Sequence, residues 1–340
     1  MEQKKPLVSV LMPVYNAEEY VEEAINSITK QTFTDFELLI FNDGSKDKSS
    51  VIINSIKDER IRFFDSAENV GYVTHLNKGL QLAQGEYIAR MDADDVSLPE
   101  RFAQQVALLN SNPEVVLCGT AYDTIGSLFS EVKVPLGDYE IRNFMVFNCP
   151  IGHPTVMFRK STIEQYGIKY DKDYMPAEDY RMWYEFSKVG KLHNLSTILL
   201  HYRIHPHQIS SYGNAKQRQK ATAIRLLQLS DKGFNFTEEE KRAYETLLDF
   251  SISIDTPQNL RSMMAFMQKI LLENSRLSAY EPSIFLNLFR ERWLGNLLSI
   301  KAYSPQLIPT ILNNNTINSI GWKSKLKFSL KSLLYWKVRN

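Results

Sequence analysis

The stretch "IARMDADDVSLPERF", residues 88–102, begins as an apolar run and turns within four positions into three carboxylates, Asp92, Asp94 and Asp95. The apolar part suits a buried strand, whereas aspartate is a poor strand residue. Two readings compete for the acids. In the first they form a solvated turn leading into a helix. Ser97 is then the N-cap, with Glu100 three residues later and Pro99 in the first turn. That accounts for residues 97–100 and leaves Asp92 and Asp94 without a role. In the second they gather around a divalent cation, because hard cations recruit clustered carboxylate oxygens.

On both sides of this stretch, strand and helix patterns alternate. "LVSVLMPVYN" reads as a strand, and Asn16 caps a helix whose Val21, Ala24, Ile25 and Ile28 follow the 3.6-residue period. "FELLIFND" is a second buried strand, followed by the turn "DGSKDKSS" and the helix "SVIINSIK"; "RIRFFDS" is a third strand. Helix "THLNKGLQLAQG" closes on Gly85 as its C-cap, and "EYIARMDADD" is the fourth strand. Helix "LPERFAQQVALLNSNP" stops at Pro113. This alternation predicts an α/β fold of βαβ units, a mainly parallel sheet with helices on both faces. Ligands in such sheets bind beyond the carboxyl ends of the strands. Tyr15, Asn42 with Asp43, and Asp92-Ala93-Asp94 all fall at such ends, so one rim should carry all three clusters.

Residues 114–212 are less regular: strand "VVLCGTAY", helix "YEIRNFMVF", strand "PTVMFRK", helix "AEDYRMWYEFSKVG" and strand "STILLHYRIH". From about 213 onward the pattern is mostly helical, giving a division into a first domain, 1–212, and a helical region, 213–340. The 340 residues suffice for a full-sized core and a second region. With 44% hydrophobic and 23% charged residues the composition is that of a globular protein, and a formal charge of +1 gives no footing for nucleic acid. Cys118 and Cys149 form no metal-binding spacing and read as core thiols of a reducing compartment. The N-terminal apolar stretch is short and interrupted by Ser9 and Pro13, so it reads as a strand and not a leader. No run approaches the roughly 18 apolar residues of a membrane span, and a cytoplasmic location is expected.

Three further motifs carry polar groups. "FNDGS" (41–45) is a turn and helix start, or it presents Asp43 to the ring N–H of a uracil. "AEDYRMW" (177–183) places Glu178 and Asp179 at a helix start, where carboxylates are welcome for dipole reasons alone. In a cleft, one of them could instead act as general base on an attacking hydroxyl. "HYRIHPHQISS" holds His201, His205 and His207, which alternation puts on one strand face unless Pro206 breaks it; His205 is the choice for a metal shell.

In order along the chain, "VSVLMPVYNAEEYVEEAINSITKQTF", "ELLIFNDGSKDKS", "NVGYVTHLNKGLQLAQGEYIARMDADD", "GHPTVMFRK", "AEDYRMW" and "YRIHPHQIS" resemble glycosyltransferase family 2, over roughly residues 7–212. The resemblance implies the nucleotide-sugar-binding GT-A fold and an inverting hexosyl- or N-acetylhexosaminyltransferase. It implies that Pro13, Val14 and Tyr15 line the nucleoside pocket and that Asp43 reads uracil. Asp92 would lie near the donor ribose and sugar, with Ala93 and Asn77 also on the donor side. Asp94 would hold Mn²⁺ or Mg²⁺ on the diphosphate, with His205 at the metal or diphosphate. Asp179 would be the base, and Glu178 would position it or the acceptor. The implied partners are a UDP-sugar donor and a saccharide or lipid-linked saccharide acceptor, as in bacterial surface-polysaccharide assembly.

The match departs from the family at Leu76, where many relatives carry Arg, and in lacking the processive members' "QxxRW". One sugar per encounter is therefore expected. A nucleotidyltransferase would show a Gly-rich basic loop after the first strand, and "PVYNAEEY" has none; a sugar-binding protein without activity would not need Asp179. The end of the chain, 321–340, carries Lys323, Lys325, Lys327, Lys331, Lys337 and Arg339 and no acid. As a helix it gathers Trp322, Leu326, Leu330, Leu333 and Leu334 on one side, with Phe328 and Tyr335 opposite. It either packs on the catalytic domain or lies peripherally in a membrane interface, its lysines toward anionic lipid.

Overall fold

The computed structural model describes residues 5–206, 208, 215–249, 256–300, 305–308 and 328–332. Among these, nine strands form one sheet: β1 (Val8–Val14), β2 (Phe36–Asp43), β3 (Ile61–Ser66), β4 (Tyr87–Arg90), β5 (Val96–Ser97), β6 (Val115–Gly126), β7 (Ser130–Val132), β8 (Met157–Arg159) and β9 (Lys191–Ile204). Their order is β3-β2-β1-β4-β8-β6-β9-β5, with β7 paired to β6. The ladders β3-β2-β1-β4 are all parallel, and β6 with β9 is parallel too. Antiparallel β8 joins these two halves by pairing with both β4 and β6.

The helices are α1 (Val21–Thr29), α2 (Ser49–Ser55), α3 (Tyr72–Leu82), α4 (Arg101–Ser111), α5 (Asp138–Phe144), α6 (Lys160–Tyr166), α7 (Glu178–Val189), α8 (Ala215–Asp231), α9 (Glu238–Leu248), α10 (Pro257–Leu277) and α11 (Pro282–Ser299). The chain divides into two compact units, residues 1–141 with 149–221, and residues 142–148 with 222–340. In the first, β1 and β2 are buried at every position, which is why both read as unbroken apolar runs. Val21, Ala24, Ile25 and Ile28 of α1 join Val10, Met12, Leu38, Ile40 and Phe102 in one core.

The second unit is held by its own aromatic core. Phe147 meets Phe289 edge-on at 4.7 Å, Tyr280 stacks on Phe285 at 4.8 Å, and Tyr244 stacks on Phe266 at 5.1 Å. Each aromatic pair adds about 0.5–1.5 kcal/mol to plain area burial. Thr237 and Glu240 close a capping box at the start of α9.

Local expectations fail where tertiary contacts outbid local chemistry. Asn16 does not cap α1, which starts at Val21; with φ +48° it bridges instead to the next turn, accepting from Lys46 N–H while its own N–H donates to Ser45 Oγ. Ser97 is no helix cap either. It lies in β5 opposite Leu200, its Oγ accepts from Gln31, and α4 begins only at Arg101. Gly85 lies beyond the end of α3, and a Cβ there would sit 2.6 Å from the Ser9 nitrogen. Its smallness permits a close approach to β1. Of the tail, only residues 328–332 are described: Phe328 and Ser332 are buried and Leu330 is exposed. The rest of 321–340 lies outside the described residues. No described helix is long and apolar enough to cross a membrane.

Candidate active site

Above the carboxyl ends of β1, β2 and β4, the first unit opens a cleft of about 1460 Å³. Pro13, Val14 and Tyr15 line it from the end of β1, Asp43 from the end of β2, and Asp92, Ala93 and Asp94 from just past β4. Glu178 and Asp179 reach it from the first turn of α7, and His205 from just beyond β9. The parallel ladders force the first three groups onto one rim, since strands that run the same way end on the same side. The structure thus brings Pro13, Val14, Tyr15, Asp43, Asp92, Ala93, Asp94, Glu178, Asp179 and His205 to one cleft, and neither Asn77 nor His201 lines it.

Asn77 is not among the residues that line the cleft: it sits on α3, and its amide is spent on the Tyr170 backbone, donating to the carbonyl at 2.9 Å and accepting the N–H at 3.0 Å. It pins α3 to the segment before α7. His201 pairs with Asp123 across β9 and β6, and His207 lies outside the described residues. Cys118 is a core thiol, but Cys149 is partly exposed and its sulfur is 3.8 Å from Asp179 Oδ2.

At the β2 end, Asp43 is only 2% exposed and already engaged. Its Oδ1 accepts from Val70 N–H at 2.7 Å and contacts His75 Nε2 at 2.9 Å; its Oδ2 accepts from Gly71 N–H at 3.1 Å. A carboxylate has about four acceptor sites, so one remains for a ligand. Gly44 makes the turn possible: its φ is +71°, and a Cβ would meet the Glu68 backbone at 2.6 Å.

The acidic loop is arranged asymmetrically. Asp92 is ion-paired with buried Arg90, whereas Asp94 Oδ2 lies 2.9 Å from His205 Nε2. Asp95 accepts Arg203 N–H at 2.8 Å through one oxygen and leaves the other, Oδ2, buried without a partner. Arg203 also donates from Nε to the Asp94 carbonyl at 2.7 Å, so β9 grips the loop at two points. Burial and mutual repulsion push the Asp95 carboxyl well above the usual carboxylate range. Burial raises Asp92 too, against the pull of Arg90. One carboxylate oxygen from each of Asp92, Asp94 and Asp95 lies within 4.8 Å of the others. An all-oxygen set with one bare buried oxygen suits a hard cation such as Mn²⁺ or Mg²⁺. The residues present fit such an ion.

At the start of α7, burial and the neighbouring Asp179 charge push Glu178 up to about 7, and burial also raises Asp179. Adjacent carboxyls in a cleft with raised affinity for protons are candidates for a functional pair. Among the lining residues that the sequence did not single out are Tyr72, Arg90 and His153. "GHPTVMFRK" placed His153 in a matching motif without giving it a task, and nothing local marked Tyr72.

The profile described as "Glycosyl transferase family 2" matches residues 9–167. An uncharacterized glycosyltransferase of Haemophilus influenzae is 36% identical over 233 residues, 65% of this chain and 72% of that protein. The chain belongs to glycosyltransferase family 2. The amylovoran biosynthesis glycosyltransferase AmsE of Erwinia amylovora is 32% identical to this glycosyltransferase over 205 residues, 58% of this chain and 76% of that one. Among solved structures, residues 1–349 of S. aureus TarS with UDP-GlcNAc superpose with a TM-score of 0.58 at 18% identity, covering 85% of this chain and 88% of TarS 1–349. That likeness establishes the GT-A fold for this glycosyltransferase.

Proposed function

We propose that this glycosyltransferase moves a sugar, with inversion, from a UDP-sugar to a hydroxyl of a saccharide or lipid-linked saccharide, one sugar per encounter. The observation that carries the reading is that Asp179, a partly buried carboxyl with raised proton affinity, lines the same cleft as the acidic loop and Asp43. A uridine base fits the β1–β2 end, where Pro13, Val14 and Tyr15 offer a wall and Asp43 keeps one acceptor site for a ring N–H. UDP-GlcNAc bound to TarS, which shares the fold, supports a UDP-sugar as donor. AmsE, named for amylovoran biosynthesis, supports a saccharide acceptor.

Asp94 and His205 would hold Mn²⁺ or Mg²⁺, with the bare Asp95 oxygen in the same acidic cluster and Asp92, already claimed by Arg90, turned toward the ribose and sugar. Bound there, the ion supplies Lewis-acid neutralisation of the diphosphate charge. Asp179 takes the proton of the acceptor hydroxyl as that oxygen attacks the anomeric carbon. The bond from that carbon to the diphosphate oxygen breaks as the new one forms, and the nucleoside diphosphate departs. The cleft adds proximity by holding the hydroxyl in line.

Thermal stabilisation by a panel of UDP-, GDP- and dTDP-sugars, each with Mn²⁺ and with EDTA, tests the donor and the ion together. A ligand at 100 times its Kd stabilises by about 2.7 kcal/mol, which is readily seen. A shift with UDP-sugars and Mn²⁺ alone supports the proposal; equal shifts in EDTA overturn the metal, and no shift with any UDP-sugar overturns the donor.

A further inference from the structure

Glu178 is 3% exposed and lines the cleft beside Asp179, yet its Oε2 has no hydrogen-bond partner. A buried carboxyl oxygen left bare is costly unless something arrives to satisfy it. The rest of the side chain is surrounded. Tyr72 stands close to the carboxyl, and His153 Nδ1 is 3.8 Å from Oε1. Arg90 and Asp179 add charges on either side.

His153 is itself tightly placed. Its Nε2 is 3.1 Å from the Tyr170 hydroxyl, its ring lies tilted against Tyr170 at 5.4 Å, and it meets Trp183 edge-on at 5.8 Å. Burial, helped by Arg90, lowers its proton affinity, so it is neutral at neutral pH and carries one N–H. With Glu178 ionised, one tautomer suits both neighbours. With the hydrogen on Nδ1, the imidazole donates toward Glu178 and accepts from the Tyr170 hydroxyl on Nε2. The other tautomer would aim a bare lone pair at the carboxyl. At 3.8 Å the contact is longer than a hydrogen bond, and catalytic hydrogen bonds are often long in a ligand-free cleft and tighten when substrate binds.

We propose that His153 is a positioning residue of the transfer reaction: set by Tyr170, it holds Glu178 Oε1 and leaves Oε2 to receive a sugar hydroxyl beside Asp179. The hydroxyl belongs either to the transferred sugar or to the acceptor, and the carboxyl chemistry that recognises it is the same. This rests on the reading of the cleft as a UDP-sugar transfer site.

The test measures UDP release from UDP-GlcNAc with Mn²⁺, with water alone and with a panel of p-nitrophenyl glycosides as acceptors. His153→Leu is expected to lower kcat about tenfold or more, as misplacement of a reacting group does, with donor KM little changed. His153→Asn places an amide N–H where Nδ1–H stood and should recover most of that loss; Tyr170→Phe should fall between. In a Glu178→Gln background the three substitutions should no longer differ from one another. A loss equal in both arms puts the hydroxyl on the donor, and a loss confined to the glycoside arm puts it on the acceptor. Wild-type turnover in His153→Leu, or the same loss surviving in the Glu178→Gln background, overturns the proposal. If His153→Leu does not fold, Tyr170→Phe carries the same comparison with the aromatic packing retained. Asp179→Asn, run alongside, reports on the transfer reading separately, because the coupling of His153 to Glu178 is read from its own series.

Discussion

Replacing Arg203 by methionine asks whether the acidic loop must be held for the cleft to bind its donor. The Arg203 Nε–H bond to the Asp94 carbonyl comes from a charged side chain only 15% exposed. Such a bond contributes about 1.5–3 kcal/mol. The Glu23 partner is 60% exposed, so that pair adds under about 1 kcal/mol. The guanidinium lies 4.8 Å over the Tyr20 ring, worth about 0.5–1 kcal/mol. Methionine keeps the backbone N–H that serves Asp95 and much of the apolar stem, so β9 stays paired. If about 2 kcal/mol of loop ordering must then come from the ligand, affinity falls about 30-fold at 1.4 kcal/mol per decade. Calorimetric titration of UDP with Mn²⁺ reads that factor, with the melting temperature followed in parallel. A Kd within threefold of wild type would refute the reasoning, and a lowered melting temperature beside it would reduce Arg203 to a fold residue.

Asp94→Asn should weaken UDP binding in Mn²⁺ and leave binding in EDTA unchanged, since it removes the charge offered to the ion and keeps the side chain's shape; equal loss in both buffers argues against a metal ligand. The raised Asp179 carboxyl is protonated to higher pH than a free aspartate, and a base must be ionised. The acid limb of kcat/KM should therefore lie above the usual aspartate range near 4, with activity lost as pH falls through it. Glu178→Gln should remove any second titration near 7 from the same profile, the value to which burial and Asp179 push that group. Gly44→Ala should destabilise by about 1–3 kcal/mol, because a side chain at φ +71° is strained and must displace the Glu68 backbone. An unchanged urea midpoint would contradict it.

The part of the fold legible in the sequence is the part governed by period and strand ends. β1, β2 and β4 announced themselves as apolar runs, and parallel pairing then placed Asp43, Asp92 and Asp94 on one rim without any further information. What stayed hidden depends on partners far along the chain. Ser97 has good cap chemistry, but pairing with Leu200 and the hydrogen bond from Gln31 draw it into β5. The resemblance put Asn77 on the donor side, and only the fold shows its amide committed to Tyr170, 93 positions away. His153 reaches the cleft from just before β8, the antiparallel strand that joins the sheet's halves. No local pattern foretells that junction.

Single-turnover UDP release by Asp179→Asn, set beside its affinity for UDP and Mn²⁺, tests the central claim most directly. A base lost from an intact cleft leaves Kd within about threefold of wild type and slows transfer by a factor on the order of 10²–10⁴. Turnover equal to wild type, or a fall in UDP affinity matching the fall in rate, would contradict the assignment of Asp179 as the group that deprotonates the acceptor.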